Sequence, residues 1–356
     1  MMNQNLLLAF WLILPGGILQ AQPGLLQKDF LYQEAPYPEC HASTLVETPS
    51  GMVAAWFGGT SEKDPDVGIW FSRLGQNGWS EAVEVANGIQ HADKRYPCWN
   101  PVLQYDAATG QTLLFYKVGP TPRDWWGMLM VSLDDGRSWS EPRRLPEDIL
   151  GPVKNKSVLR ADGTWLCGSS TEHDGWRVHM ELTDDNGRSW RRIGPLQGKN
   201  SDKVIQPTIF EHGDGSYQIL CRTKKSSEIM QAWSKDGGLT WSDFTGTGLP
   251  NPNSGLDGVT LADGRHLLVY NHTQTPKGKW GGPRSPLNVA ISDDGKTWQA
   301  VMELETEPGE YSYPAVVQAK DGKIHLTYTW KRKRVRYVVL DPKTLEATPM
   351  KEGEWP

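Results

Sequence analysis

The sequence has few cysteines and no close cysteine pair. Its four cysteines, Cys40, Cys98, Cys167 and Cys221, are spread along the chain, and this spacing excludes the usual zinc motifs. We expect small buried thiols, with one disulfide between Cys40 and Cys98 as the alternative that an oxidising compartment would permit. The sequence therefore predicts no metal site and implies no cofactor.

The sequence also lacks a strong excess of charge of one sign and long stretches with a helical period. The 37 basic and 42 acidic residues give a formal net charge of -5 without a basic stripe, so nucleic acid is not an expected partner. The 17 Trp, 37 Gly and 25 Pro are typical of short strands, tight turns and surfaces on which sugar rings stack. An anionic ligand would have to be held by local contacts rather than by the overall charge.

The one long apolar stretch lies at the N-terminus. Residues 6–19 are largely apolar, follow five uncharged residues and precede the small residue Ala21, as in a secretory signal peptide. The stretch is too short to span a bilayer comfortably, and nothing after residue 21 is as apolar. We therefore predict a signal peptide at 1–21, export to the periplasm, cell surface or medium, and a mature chain without a membrane span.

A turn motif, Ser/Thr-x-Asp-x-Gly-x-x-Trp, recurs along the chain. Its clean copies are Ser132, Asp134, Gly136 and Trp139; Thr183, Asp185, Gly187 and Trp190; and Ser234, Asp236, Gly238 and Trp241. A shorter copy consists of Ser292, Asp293, Gly295 and Trp298, and a degraded one runs from Ser72 to Trp79. The Asp accepts backbone N–H bonds, the Gly supplies the turn conformation and the Trp packs between sheets, so we assign the motif a structural role.

A second series places a polar residue at the start of a β-patterned run that ends in a Gly turn. Its six members are His41, Asn100, Asn155, Gln206, Asp257 and Tyr311. A fixed period of about 50 residues indicates a propeller or a solenoid, and six starts predict six blades. Inner strands of a propeller begin on one face near the axis, so these side chains should converge on one central depression. A strand near residues 30–33 should pair with the C-terminal strands and close the ring.

Together, these motifs resemble the sialidase superfamily, where the turns are known as Asp-boxes or BNR repeats. The stretches Ala55-Trp56-Phe57-Gly58-Gly59 and Asn251-Pro252-Asn253-Ser254-Gly255 resemble its subgroup of predicted neuraminidases. The resemblance implies an all-β, six-bladed β-propeller that forms one domain over residues 22–356. It also implies an exo-acting glycosidase whose partner is an acidic glycan, although the same propeller carries other activities.

The resemblance implies roles for several central residues. Tyr311, in Tyr311-Ser312, resembles the nucleophilic tyrosine of the last blade, and Arg222 and Arg284 resemble two of the three arginines that bind the substrate carboxylate. The acid/base carboxylate should lie in the loop before Ile69. Asp64 and Asp66 are both candidates there, and Asp66 is preferred because it is closer to the strand.

The sequence departs from the sialidase pattern at two of these positions. His41 stands where the first arginine is expected, and Gln206 stands where a Glu would activate the tyrosine. A neutral amide cannot accept a proton, so His41 is the candidate that replaces the missing base. Gln206 and Asp257 are expected to line the substrate site.

Three functions are compatible with these residues. The first is a retaining exo-glycosidase that removes a terminal acidic sugar, because a neutral tyrosine nucleophile suits an anomeric carbon beside a carboxylate. The second is a lyase for uronate polysaccharides, in which His41, Tyr311 and two arginines would supply a base and a neutralised carboxylate. The third is a carbohydrate-binding propeller without catalysis.

Overall fold

The computed structural model describes residues 22–173, 175–224 and 227–356, and within these ranges every regular element is a strand. The strands form six sheets of four or five strands, one for each blade of the propeller. Inner strands contact one another between blades 1 and 2, blades 4 and 5, and blades 5 and 6, and the last inner strand contacts the first; the second strand of blade 3 contacts the inner strand of blade 4. The six-bladed β-propeller predicted from the periodicity is confirmed. Among the described residues, no helix is long and apolar enough to cross a membrane. The predicted signal peptide, residues 1–21, lies outside the described residues.

Blades 1 to 3 follow the chain order, each beginning with its inner strand. Blade 1 consists of Glu39–Thr48, Gly51–Gly59, Gly68–Gly75, Gly78–Trp79 and Val83–Ala86. A short hairpin, Ile89–His91 and Lys94–Arg95, leads to blade 2. Blade 2 consists of Cys98–Asp106, Gln111–Val118, Trp126–Ser132 and Arg143–Arg144, and blade 3 of Val158–Leu159, Trp165–Thr171, Arg177–Thr183 and Arg191–Ile193.

Blades 4 to 6 continue in the same sense, and the last two recruit strands from the ends of the described chain. Blade 4 consists of Val204–Glu211, Tyr217–Thr223, Glu228–Ser234 and Thr245–Pro250. Blade 5 consists of Asp257–Thr260, His266–Tyr270, Leu287–Ser292, Gln299–Glu305 and Thr348–Pro349. Blade 6 consists of Tyr311–Gln318, Ile324–Trp330, Arg334–Leu340 and the N-terminal strand Leu25–Phe30.

The N-terminal strand closes the ring, but over different residues from those predicted. The strand is Leu25–Phe30 rather than residues 30–33, and it pairs antiparallel with Arg334–Leu340. This pairing gives hydrogen-bond partners to the backbone N–H and C=O groups on the outer edge of Arg334–Leu340, which would otherwise be an open sheet edge.

The Asp-boxes have the structural role assigned to them. In the first clean copy, Asp134 Oδ1 accepts from the Ser138 amide at 2.8 Å, and these hydrogen bonds lower the pKa of Asp134 to about 2. The Trp139 ring then packs edge-on against Phe71 of the preceding blade, with ring centroids 5.4 Å apart. Trp190 contacts Phe115 in the same way at 6.0 Å. The boxes therefore fasten neighbouring blades to each other, away from the axis.

Two sequence expectations about individual residues are corrected here. In the short box the carboxylate is that of Asp294 rather than Asp293, because Asp294 Oδ1 accepts from the Lys296 and Thr297 amides at 2.7 and 2.6 Å. All four cysteines are free and buried, so the alternative disulfide between Cys40 and Cys98 does not form. Burial raises the pKa of the Cys40 thiol to about 12, which keeps it protonated and unreactive.

Candidate active site

The inner edge of the propeller has an unusual backbone. In every blade one non-glycine residue at or just before the inner strand has a left-handed backbone; the six φ angles are Ala42 53°, Asn100 36°, Lys154 74°, Gln206 56°, Asn253 60° and Tyr313 52°. Four of these residues lie where the pairing register of the inner strand shifts. Such a conformation costs about 1 to 3 kcal/mol in a residue with a side chain, and strained residues of this kind concentrate at functional sites.

Tyr313 lies at the centre of this ring. Its phenolic oxygen accepts a hydrogen bond from Arg222 Nη1 at 2.5 Å and another from Gln206 Nε2 at 3.3 Å. The imidazole of His41 packs against its ring, with centroids 4.1 Å apart. Tyr313 is 9% exposed; both hydrogen-bond partners of its hydroxyl come from blade 4, and its ring contacts blade 1. The sequence reasoning missed this residue.

Two predicted arginines meet at one asparagine. Arg222 Nε donates to Asn253 Oδ1 at 2.8 Å, and Arg284 Nη2 donates to the Asn253 carbonyl at 3.0 Å. Arg284 Nη1 also donates to Ser254 Oγ at 3.0 Å. Burial and the nearby charge of Arg222 lower the pKa of Arg284 to about 10. The two guanidinium groups are thus fixed by neutral acceptors, and within the described part of the chain neither forms an ion pair with a carboxylate.

A third arginine comes from blade 6 and carries two carboxylates. Arg332 Nε donates to Glu310 Oε1 at 2.8 Å, and its Nη1 lies 2.5 Å from Glu62 Oε2. Glu62 belongs to the same blade 1 loop as Asp64 and Asp66. Both Glu62 and Glu310 are about one-third exposed, at 33% and 32%. These ion pairs raise the pKa of Arg332. Neither Arg332 nor Glu62 carries a periodic signal that sequence reasoning could have used.

His41 is a neutral histidine in a cationic environment. It is 3% exposed, and its Nδ1 lies 2.8 Å from Thr329 Oγ1. Burial holds its pKa well below the usual range, and the charges of Arg332, Arg284, Arg222 and Lys154 lower it further. The imidazole is therefore unprotonated at neutral pH, with Nε2 as the nitrogen not bonded to Thr329.

Two further ionisable residues, Lys154 and Asp257, are engaged in the framework of the propeller. Lys154 Nζ donates to Asn155 Oδ1 and to the carbonyls of Leu256 and Pro314, and burial lowers the pKa of Lys154 to about 7. The Asp257 carboxylate accepts from Lys156, Thr208 and two backbone amides, those of Gly258 and Val316. Asp257 is 1% exposed. Its oxygens are already used to join blades 3 to 6, so the structure places it in the wall rather than free for a ligand.

The structure separates two other predicted residues from this cluster. Tyr311 is 1% exposed and packs in the hydrophobic core of blades 5 and 6, where its backbone amide donates to the Arg284 carbonyl at 3.1 Å. Asp66 is exposed, and its Oδ2 accepts from the amide and hydroxyl of Thr60 at 2.9 and 2.8 Å. Asp66 therefore caps its own loop, and Tyr311 presents its ring to the core rather than to Arg222.

A repeated dipeptide could have identified the central tyrosine. Asn100, Gln206 and Tyr313 all precede a proline at the left-handed position of the inner strand. The Tyr311-Ser312 pattern instead selects Tyr311, two positions before Tyr313. In a regular strand, residues two positions apart point to the same face of the sheet. Here the register shifts between Ser312 and Ala315, so the two tyrosines separate.

An aromatic rim borders the arginine cluster. The Arg222 guanidinium lies over Trp176 at 5.1 Å, and Trp176 meets Trp280 edge-on at 5.9 Å. Trp280 is 62% exposed and its carbonyl accepts from Asn253 Nδ2 at 2.7 Å. Among the described residues, no three His, Cys, Asp or Glu side chains are grouped so that they could hold a metal ion.

Comparison with known proteins assigns the family. The model of the BNR repeat-like domain matches residues 50–326. The chain belongs to this family of sialidase-type BNR propellers. This BNR-family chain is 25% identical over 237 residues to the anhydrosialidase of Macrobdella decora, an alignment that covers 57% of this chain and 30% of the relative. The chain spans 30% to 50% of the length of the curated sialidases it matches.

Solved structures agree with the fold of the BNR propeller. A protein of unknown function from Dyadobacter fermentans superimposes with a TM-score of 0.72 at 17% identity, covering 90% of this chain and 99% of the other. A variant of the NanB sialidase from Streptococcus pneumoniae gives 0.70 at 14% identity, covering 91% and 71%. At these identities the likeness confirms the sialidase-like six-bladed fold. The activity has to be argued from the residues of the site.

Proposed function

We propose that the protein is a sialidase-like exo-glycosidase that removes a terminal acidic sugar from glycans. The observation that carries the proposal is the cationic centre of the propeller. Arg222 and Arg284 are fixed by neutral acceptors, and both charges act on the buried, neutral His41. A buried group of cations without a paired carboxylate is stabilised by an anionic ligand, and arginine binds a carboxylate bidentately.

Tyr313 is the proposed nucleophile, in place of Tyr311. Its hydroxyl is hydrogen-bonded to Arg222 and Gln206, whereas Tyr311 is packed in the hydrophobic core of blades 5 and 6. A neutral tyrosine attacks an anomeric carbon beside a carboxylate without charge repulsion. The short hydrogen bond from Arg222 stabilises negative charge that develops on the phenolic oxygen during attack. His41 is unprotonated and its ring is tilted against that of Tyr313, so we assign it the role of accepting the phenolic proton.

Glu62 is the proposed proton donor to the leaving group, in place of Asp66. Glu62 reaches the arginine cluster through Arg332, while Asp66 is engaged by Thr60. A substrate carboxylate bound near Arg332 would compete with Glu62 for the guanidinium. Release of Glu62 from this ion pair favours its protonated form, which is the form that a general acid needs.

The exposed aromatic rim is the proposed surface for the aglycone, the part of the glycan that remains after the acidic sugar is removed. Trp280 and Trp176 lie beside Arg222, so a sugar that follows the acidic residue could stack on Trp280. An exo-acting enzyme needs such contacts on one side of the cleaved bond only.

β-Elimination is the second candidate, and a specific observation favours it. The two hydrogen-bond partners of the Tyr313 hydroxyl are Arg222 and Gln206, and neither is the carboxylate that activates the tyrosine in the sialidase pattern. In this reading Tyr313 and the neutral His41 supply the base for the proton α to a sugar carboxylate, and Arg222 neutralises that carboxylate.

One experiment separates these functions. The protein is incubated with 3′-sialyllactose and with a uronate polysaccharide, and both free sugar and the ultraviolet absorbance of an unsaturated product are followed. Released sialic acid without absorbance supports the glycosidase, and absorbance supports elimination. The assay is repeated with freshly purified protein over a range of pH. Tight binding of either glycan without any product under all these conditions would contradict both enzymatic proposals and indicate a binding propeller.

A further inference from the structure

Lys154 is a buried lysine whose amine joins three blades. It is 3% exposed and its backbone is left-handed, with φ of 74°. Its Nζ donates to Asn155 Oδ1 at 2.8 Å, to the Leu256 carbonyl at 2.7 Å and to the Pro314 carbonyl at 2.5 Å. Asn155 precedes the first strand of blade 3, Leu256 precedes the inner strand of blade 5, and Pro314 lies in the inner strand of blade 6. One side chain therefore connects blade 3 to the blade opposite it in the ring.

These three acceptors require the protonated form of the lysine. Asn155 Nδ2 donates to the Gln206 carbonyl at 3.0 Å, which fixes the amide with its oxygen toward Lys154. The other two acceptors are backbone carbonyl oxygens, which cannot donate. An ammonium group has three N–H donors, whereas a neutral amine has two. Loss of one proton from Lys154 therefore breaks one of the three bonds.

The same bonds lead to Tyr313. Pro314, one of the acceptors, is the next residue in the chain, and Tyr313 has the left-handed backbone described above. Lys154 Nζ lies 5.9 Å from the centroid of the Tyr313 ring. A Cβ atom at Gly255 would lie 3.1 Å from Tyr313 Cδ2 and 3.2 Å from Lys154 Cε, so the ring and the lysine stem border the same glycine. Gln206, whose carbonyl belongs to this network, donates from Nε2 to the phenolic oxygen.

Burial opposes the charge that the hydrogen bonds require. It lowers the pKa of Lys154 to about 7; the carboxylate of Asp257 acts against this decrease, whereas the charges of Lys156 and Arg222 add to it. His41 is the other ionisable group that responds to this charge, because Lys154 contributes to the lowering of its pKa. The three bonds of the lysine are therefore made in weak acid and are lost as the pH rises above neutral.

We propose that protonated Lys154 is a positioning residue for Tyr313, and that loss of its proton releases the tyrosine from its reactive position. The lysine holds the strained backbone at Pro314 and, through Asn155, the carbonyl of Gln206. It thus fixes the phenolic oxygen from the protein side. A positive charge beside the ring also stabilises negative charge that develops on that oxygen. The inference rests on the proposed role of Tyr313 as the reacting group, and it applies to attack and to elimination alike.

Carbon-13 NMR of the whole chain tests the positioning without any turnover. The protein is labelled at the tyrosine Cζ atoms, and Tyr313→Phe identifies the resonance of Tyr313. In the wild type this resonance should shift in a step centred near pH 7, as Lys154 loses its proton, and Lys154→Met should abolish the step. Asn155→Asp should move the step upward by about one pH unit or more, because an adjacent carboxylate favours the ammonium form.

Lys117→Met is the matched control for the loss of a buried lysine. Lys117 is 0% exposed, donates to the Pro152 carbonyl, and has a pKa that burial lowers to about 7. Its removal should leave the step of the Tyr313 resonance in place. A wild-type resonance without a step near pH 7 would overturn the proposal, and so would a step that persists in Lys154→Met. The wild-type and Asn155→Asp titrations decide the matter even where Lys154→Met does not fold.

A double-mutant cycle connects this result to the reaction. On the glycan that is turned over, Lys154→Met should lower kcat by about tenfold or more and change KM less than about threefold, because it alters the position of the reacting group. In a Tyr313→Phe background the same change should cost less than about threefold. Equal losses in both backgrounds would overturn the proposal, since a loss of stability alone does not depend on Tyr313. A protein that shows the NMR step but turns over neither glycan would support the positioning and contradict only the proposed function.

Discussion

Arg222 donates a hydrogen bond of 2.5 Å to the phenolic oxygen of Tyr313, across the axis from blade 4 to blade 6. The contact joins a residue of a regular strand, Tyr217–Thr223, to a left-handed residue of an inner strand with φ of 52°. Because the strained tyrosine is held by a charged donor, the hydroxyl has one position. A nucleophile or base that is fixed in this way needs little reorganisation in the transition state.

The first prediction compares the two neighbouring tyrosines. Tyr313→Phe removes the hydroxyl at the arginine cluster and should lower kcat at least a hundredfold, since a positioned nucleophile or base typically contributes about 10² to 10⁴. Tyr311→Phe should change kcat less than about twofold, because Tyr311 packs in the core. Steady-state kinetics on the glycan that is turned over, with circular dichroism to verify folding, measures both. A large loss in Tyr311→Phe alone would return the role to that residue.

The contrast between these tyrosines shows where sequence reasoning reached its limit. The blade number, the Asp-box turns and the convergence of the inner strands follow from a period near 50 residues, which depends on local turn chemistry. The identity of the central tyrosine depends on a bulge between Ser312 and Ala315. A bulge shifts side chains by one position and leaves almost no trace in the hydrophobic pattern.

Residues on loops and hairpin tips were harder still to predict. Arg332 reaches Glu62 and Glu310 from the turn between two strands of blade 6, and its own backbone is left-handed with φ of 59°. Neither the spacing nor the residue type of this turn repeats in another blade. Arg222, in contrast, lies in a regular strand and Arg284 just before one, and the resemblance to sialidases was enough to single them out; their role in binding stays a prediction.

The second prediction concerns the two arginines that share Asn253. Arg222→Ala or Arg284→Ala should weaken binding of free sialic acid by about 2 to 5 kcal/mol, the cost of removing one partner of a desolvated charge pair. Binding of a neutral sugar should change little. Isothermal titration with sialic acid and with lactose measures the difference. Equal losses for both ligands would mean that the arginines only hold blades 4 and 5 together.

The third prediction concerns the carboxylates of the blade 1 loop. Glu62→Gln keeps the size of the side chain but cannot donate a proton as a carboxylic acid does, so kcat on a substrate with a poor leaving group should fall about a hundredfold or more. A substrate with a good phenolic leaving group should be affected much less, because it needs little protonation. Asp66→Asn is the matched control and should leave both rates within about threefold. Equal losses for the two substrates in Glu62→Gln would point to a role in binding.

The fourth prediction is acid instability that arises from buried histidines. His266 Nε2 and His212 Nδ1 are 3.1 Å apart, and burial lowers the pKa of His266 to about 4, with a further decrease from His212. The unfolded chain, with a histidine pKa of about 6.5, binds protons first as the pH falls. The stabilisation is therefore complete above about pH 6.5 and is lost between there and pH 4.

Chemical unfolding at several pH values tests this loss. His266→Gln should flatten the decrease in the free energy of unfolding by an amount on the order of 1 kcal/mol. His41, whose pKa is also lowered by burial, contributes with the same sign. A wild-type stability that is constant from pH 7 to pH 4.5 would contradict the prediction.

The last prediction restores the carboxylate that the sialidase pattern lacks. Gln206 Nε2 now donates to the Tyr313 hydroxyl, while Gln206 Oε1 accepts from Arg222 Nη1, both at 3.3 Å. In Gln206→Glu the donor becomes an acceptor, so the phenol can donate its proton to the carboxylate and attack as a stronger nucleophile. For a glycosidase kcat should rise, by about tenfold, because general-base assistance replaces a neutral contact. KM for the acidic substrate should rise as well, because the new charge competes with the substrate carboxylate for Arg222.

Gln206→Met, which has neither donor nor acceptor of comparable strength, is the matched control and should lower kcat. For elimination the order reverses, because an added anion beside Arg222 weakens neutralisation of the sugar carboxylate and slows removal of the α-proton. A Gln206→Glu variant that is as slow as Gln206→Met would therefore exclude assisted attack by Tyr313 and favour the lyase.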